Sequence, residues 1–101
     1  MAETHGIDID RRMISDFCWR HHIRKLSLFG SILRDDFTPD SDVDMLMEFE
    51  PDHGPDLFSL VRMERGLSDA LGRKVDLRTP EELSKYFRQK VLDAAEPLYV
   101  R

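Results

Sequence analysis

With 101 residues, 41% hydrophobic and 35% charged, the chain has the composition of a soluble globular domain and not of a disordered segment. A formal net charge of -5 argues against broad electrostatic binding to nucleic acid, which needs a basic footprint. Apolar runs of only a few residues exclude a membrane span, the acidic first ten residues lack the basic and apolar regions of a signal peptide, and Cys18, the single cysteine, excludes an internal disulfide.

Along the chain, Asp10 is placed to cap a first helix reaching about residue 23, with Met13, Ile14, Phe17, Cys18 and His21 at three- and four-residue spacing. Residues 25–29 read as a short strand. Gly30 ends it, and Ser31 can cap a short helix to about residue 36. Residues 37–41 contain Thr-Pro-Asp-Ser and read as a loop. From 42 to 49 the sequence alternates as a strand does: Val43, Met45, Met47 and Phe49 on one face, Asp42, Asp44, Leu46 and Glu48 on the other. A turn over 51–55 leads to a helix capped by Asp56, with Leu57, Leu60, Val61, Glu64, Leu67 and Leu71 on its apolar stripe and Gly72 at its C-terminal cap. Residues 74–78 form a third strand, with Asp76 opposite Val75 and Leu77. Thr79-Pro80-Glu81-Glu82 reads as a helix start, and Leu83, Phe87, Val91 and Ala94 continue one helical face. Pro97 stops that helix, and 98–100 can add a last strand. The order α-β-α-β-α-β-α-β predicts one α/β domain over residues 1–101, a small mixed sheet covered by packed helices.

Three features sit at strand edges. Gly30-Ser31 lies at a strand-to-helix junction, where free N–H groups and the absence of a Cβ suit a phosphate; alone, the pair is equally a turn and a cap. Asp42 and Asp44 share a strand face, roughly 6.5–7 Å apart along the chain. Two carboxylates so close repel each other, and a hard divalent cation with oxygen ligands removes the conflict; alone, they are also readable as solvated acids. Asp76, between two apolar residues, joins them if its strand is the neighbour, and three carboxylates can hold two metal ions.

The arrangement is more specific than its parts. Gly-Ser, ten residues, Asp-x-Asp and a third acid one helix later resembles the minimal nucleotidyltransferases (MNT) of the DNA polymerase β superfamily. The likeness spans nearly the whole chain. It runs through Phe29-Gly30-Ser31, Arg34, Ser41-Asp42-Val43-Asp44, Phe49-Glu50-Pro51, Leu71-Gly72-Arg73-Lys74-Val75-Asp76-Leu77 and Ala95-Glu96-Pro97-Leu98-Tyr99. The resemblance implies a polymerase β-like fold. It implies that Gly30 and Ser31 hold the NTP phosphates with Arg34 beside them, and that Asp42, Asp44 and Asp76 bind Mg²⁺, two ions, with Mn²⁺ as a substitute. Asp76 also helps to deprotonate the acceptor hydroxyl. One departure is Asp35, followed by Asp36, where family members often have Gly after the arginine; acids there are expected either to weaken nucleotide binding or to alter the helix end.

Chains this short resemble the antitoxin half of toxin–antitoxin pairs whose toxin is a HEPN-domain ribonuclease. The resemblance implies transfer of AMP from ATP to a toxin tyrosine; the single cysteine suits a reducing cytoplasm, and the surfaces allow a homo- or hetero-oligomer. The competing readings are an antitoxin that only masks its partner, and a nucleotidyltransferase acting on a small-molecule hydroxyl. Of the remaining residues, His21 reads as a histidine at a helix C-terminus, Cys18 as a buried inert thiol and His53 as exposed. Arg73 and Lys74 read as phosphate contacts or a solvated strand entry. Tyr86 and Tyr99 read as packing residues or modifiable hydroxyls, and Trp19 as a partner surface.

Overall fold

The computed structural model describes residues 2–4, 6–34, 37–38 and 40–101. The chain opens with a hairpin that the sequence reading does not anticipate: β1 (Ala2–Thr4) pairs antiparallel with β2 (Ile7–Ile9), and Gly6 turns between them at φ 82°. Strands of three residues leave almost no periodic signal, yet Ile7 and Ile9 are buried and Asp8 between them is exposed. Helix α1 (Arg11–Arg20) follows, capped by the Asp10 carboxylate, which accepts from the N–H groups of Arg12 (3.0 Å) and Met13 (3.3 Å). It stops three residues before the predicted end, because His22 adopts φ 58° and turns the chain into β3 (Ile23–Phe29).

Then come β4 (Val43–Phe49), α2 (Leu57–Leu71), β5 (Val75–Arg78), α3 (Arg88–Ala94) and β6 (Glu96–Val100). The sheet order is β5-β4-β3-β6. The β4–β5 pair is parallel, joined by the α2 crossover, and β3 runs antiparallel to both β4 and β6. The predicted mixed sheet is therefore present. Asp56 accepts from Ser59 N–H at 2.7 Å and Gly72 closes α2 at φ 67°, both as the sequence predicts.

One face of the sheet carries the core. Leu26, Leu28, Met45, Met47, Val75 and Leu77 pack there with Ile14 and Phe17 of α1 and Met63 and Leu67 of α2. The predicted stripe of α2 needs correction: Met63 and Leu67 are its buried residues, while Leu57 and Val61 face solvent. The helix from Thr79 also needs correction. Thr79 makes no capping bond, Pro80–Glu82 is a single 3-10 turn, and α3 begins only at Arg88. Arg88 ties the two pieces together, its guanidinium donating to the carbonyls of Pro80 (2.7 Å) and Leu83 (3.1 Å).

Both outer strands are dressed by helix side chains. On β5 the Val75 and Leu77 N–H groups donate to Ser68 Oγ and Glu64 Oε2 of α2, each at 2.9 Å. On β6 the Leu98 carbonyl accepts from Arg11 of α1 at 3.0 Å, and Pro97 has no N–H to offer.

Cys18 is buried, and burial pushes its thiol up to about 12. Iodoacetamide at pH 8 should therefore leave the folded protein unmodified and alkylate Cys18 only in denaturant, a difference that intact mass reads directly. His21 is held below the ordinary histidine range by burial and by the Arg20 and His22 charges. It is the C-terminal cap of α1, the helix-end position that the sequence predicts. Its ring packs on Phe17 with centroids 4.6 Å apart. His53 is exposed as expected, and stacks on His22 at 4.1 Å.

Candidate active site

The face of the sheet opposite the core brings the predicted acids together. Asp44 lies in β4 as its second residue, and Asp42 immediately precedes the strand instead of lying in it. Asp76 is the register partner of Asp44 across the parallel pair, and Phe29 is its partner across the antiparallel one. Gly30 follows Phe29 directly, so the Gly-Ser turn ends on the Asp44 side chain. A side-chain carbon built on Gly30 would overlap the Asp44 carboxylate, and Gly30 holds φ 76°, where other residues are strained. The turn itself is a 3-10 segment, Gly30–Leu33, preceded by Phe29. Ser31 therefore sits inside the turn and does not cap a helix. Its backbone N–H stands near the Asp44 carboxylate and favours its charged form.

The electrostatics follow from that crowding. Asp44 is pushed above the usual carboxylate range, first by burial, then by the charge of Asp76 and less by that of Asp42. The Ser31 N–H and the Arg78 charge pull the other way. Each outer acid has a cation of its own. Arg78 grips Asp76 with two nitrogens, Nε at 3.2 Å and Nη2 at 3.3 Å, and reaches Glu82 at 3.7 Å. Lys74 Nζ stands 3.8 Å from Asp42. Both pairs are solvent-exposed, so they hold orientation more than they add stability.

Among the described residues no three His, Cys, Asp or Glu side chains converge into a ready-made metal cluster. Asp42 leans on Lys74 and Asp76 on Arg78. In donor chemistry the residues fit a hard divalent cation: three carboxylates, with the half-buried Asp44 between two others of like charge. The nucleotide-binding candidates divide. Gly30 and Ser31 lie against Asp44, whereas Arg34 ends the turn, its N–H donating to the Ser31 carbonyl at 2.9 Å. Asp35 and Asp36 lie outside the described residues. Arg73 holds the loop that leads to Asp42: it donates to the carbonyls of Thr38 (3.0 Å) and Ser41 (2.9 Å) and covers the Phe37 ring at 4.8 Å. The sequence reading overlooks Arg78. Its signal is spacing, since a residue two from Asp76 on one strand shares its face.

The groove leading to Asp76 holds about 290 Å³ and is lined by Leu57, Val61, Glu64, Arg78 and Glu82 among others. A larger groove of about 520 Å³, between Arg24, Glu48, Glu50 and Leu92, does not reach the three aspartates.

The nucleotidyltransferase domain family matches residues 10–97. Protein adenylyltransferase MntA of Thermococcus cleftensis is 36% identical over 81 residues, 80% of this chain and 78% of its own. A solved toxin–antitoxin structure with AMP-PNP superposes with a TM-score of 0.74 at 20% identity, over 92% of this chain and 75% of that one. A tri-AMPylated Shewanella oneidensis HEPN toxin in complex with MNT antitoxin gives a TM-score of 0.65 at 19% identity, over 90% of this chain and 70% of that one. The expected polymerase β-like nucleotidyltransferase fold is thus the one observed.

Proposed function

The chain belongs to the nucleotidyltransferase domain family, and from that premise we propose that it is an antitoxin that transfers AMP from ATP to a tyrosine hydroxyl of a HEPN-domain toxin. The observation that carries the reading is the juxtaposition of the Gly30–Ser31 turn with Asp44, and of Asp44 with Asp76 on the adjoining strand. The named adenylyltransferase relative and the AMPylated-toxin complex of the same fold support it.

In this proposal the Gly30 and Ser31 backbone faces the triphosphate, and the missing Cβ of Gly30 lets that turn lie against the Asp44 carboxylate. Asp42, Asp44 and Asp76 would hold Mg²⁺, which when bound offsets the phosphate charge and eases ionisation of the acceptor hydroxyl. Asp76 takes the proton of that hydroxyl. The tyrosine oxygen bonds to the α-phosphorus, the bond to the β-phosphate oxygen breaks, and pyrophosphate leaves. Arg73 holds the Thr38 and Ser41 carbonyls, so that Asp42 stays beside Asp44.

The direct test mixes this chain with a HEPN-domain toxin from the same organism, ATP and Mg²⁺, and follows the intact mass of the partner. Gain of one or more AMP units is expected, located on a tyrosine by fragmentation. Neutralisation of toxicity without any added mass would instead identify a masking antitoxin. AMP found on a small-molecule hydroxyl, with the partner unmodified, would sink the protein-substrate reading.

A further inference from the structure

Leu57 and Phe58 open α2 and Val61 follows one turn later; they are 72%, 78% and 51% exposed. They face outward because Met63 and Leu67 occupy the stripe that packs on the sheet. Three large apolar side chains gathered on so small a surface forgo the stabilisation that burial would give, which marks a contact site more often than chance exposure. The patch is also continuous with something. The groove of about 290 Å³ begins at Leu57 and Val61, passes Glu64, and ends at Asp76, Arg78 and Glu82. One end is apolar, and the other holds the carboxylate that takes the acceptor proton. Along it Glu64, Asp76 and Glu82 face the single cation Arg78, so the groove favours a basic guest.

We propose that this outer face of α2 is the docking surface for the acceptor protein. It takes a segment with one bulky apolar side chain, seated on Leu57, Phe58 and Val61, and a basic side chain close to the hydroxyl that is modified. The inference rests on the adenylyl-transfer reading for the identity of the acceptor. The nucleotide is assigned elsewhere, at the Gly30–Ser31 turn on the β3 side of Asp44, whereas the groove opens on the β5 side at Asp76. A second copy of the chain is the competing occupant, which the dimer measurement decides.

The test is calorimetric titration of a purified HEPN-domain toxin from the same organism, without nucleotide, into wild type, Phe58→Ser/Val61→Ser and, as a control, Tyr86→Ser. Tyr86 is 81% exposed on a different segment. The double variant should bind about 30-fold more weakly, the scale of losing an interface anchor. The control should bind as wild type does, and a fluorescent ATP analogue should bind all three chains equally. Equal partner binding by wild type and the double variant would overturn the proposal, as would no binding by wild type. A wild-type dimer that dissociates in the double variant would assign the face to a second copy and equally overturn it. If wild type binds the HEPN protein but adds no AMP to it, the transfer reading fails while the binding comparison still decides the surface.

Discussion

Replacing Asp44 by asparagine should abolish adenylyl transfer, by roughly 10³-fold or more, the scale of removing a preorganised electrostatic group, and should at the same time raise the melting temperature at neutral pH. The two effects share one cause. Burial and the Asp76 charge lift Asp44 above the usual carboxylate range in the folded chain, so the native state binds its proton more tightly than the unfolded state does. The sign follows by linkage. Between the ordinary carboxylate value and the raised one, stability falls as pH rises, and above the raised value the penalty is complete. Below the ordinary value both states are protonated and there is no penalty. The substituted asparagine carries no charge, so thermal melts of wild type and Asp44→Asn in metal-free buffer should converge in acid and separate toward pH 7, with the variant the more stable. Mg²⁺ should narrow the gap by stabilising wild type alone. A variant that is inactive and less stable than wild type at pH 7 would show that Asp44 serves the fold and not the chemistry.

The second large effect is expected at Gly30. Alanine there meets two penalties. Its backbone must hold φ 76°, which costs about 1 kcal/mol for a residue with a side chain, and its methyl group occupies the space of the Asp44 carboxylate. Asp44 must then swing away from the Ser31 N–H. A loss of about 100-fold or more in transfer is expected, the scale of misplacing a reacting group by an ångström. The melting temperature should fall by about 4–8 °C per kcal/mol of strain in a domain of this size. Gly72→Ala provides the comparison. It has a similar φ of 67° but open space around it, so it should lower stability without touching transfer. If both alanine variants stay fully active, the close approach of Gly30 to Asp44 has no part in the reaction.

The sequence disclosed most where local chemistry and tertiary packing agree. Asp10, Asp56 and Gly72 act as caps because their own backbone geometry suffices. The alternation from Val43 onward survives because one face of β4 meets the core. The acids were legible through that same period, and their pairing with Asp76 needed only the parallel neighbour that α2 supplies. What stayed hidden depends on the rest of the molecule. Leu57 and Val61 fit a helical stripe as well as Met63 does, and only the direction from which the sheet approaches decides between them. Thr79-Pro80-Glu81-Glu82 has every local mark of a helix start, yet the chain leaves the helical path at Leu83, and Arg88 binds the carbonyls so released. The hairpin at the N-terminus was too short to show a period. The cation on Asp42 is a tertiary fact: the Lys74 carbonyl accepts the Val43 N–H, which joins the two strand entrances and brings Lys74 to Asp42.

Sheets whose outermost strands bare their hydrogen-bonding groups can grow by recruiting further strands, the first step toward fibrils and swapped aggregates. Here Ser68, Glu64 and Arg11 occupy the positions that a recruited strand would need, and Pro97 leaves a gap in the ladder. Recognition is thereby steered away from strand addition and onto side chains. The chain can thus expose Phe58 and its neighbours without its sheet also becoming a template for polymerisation.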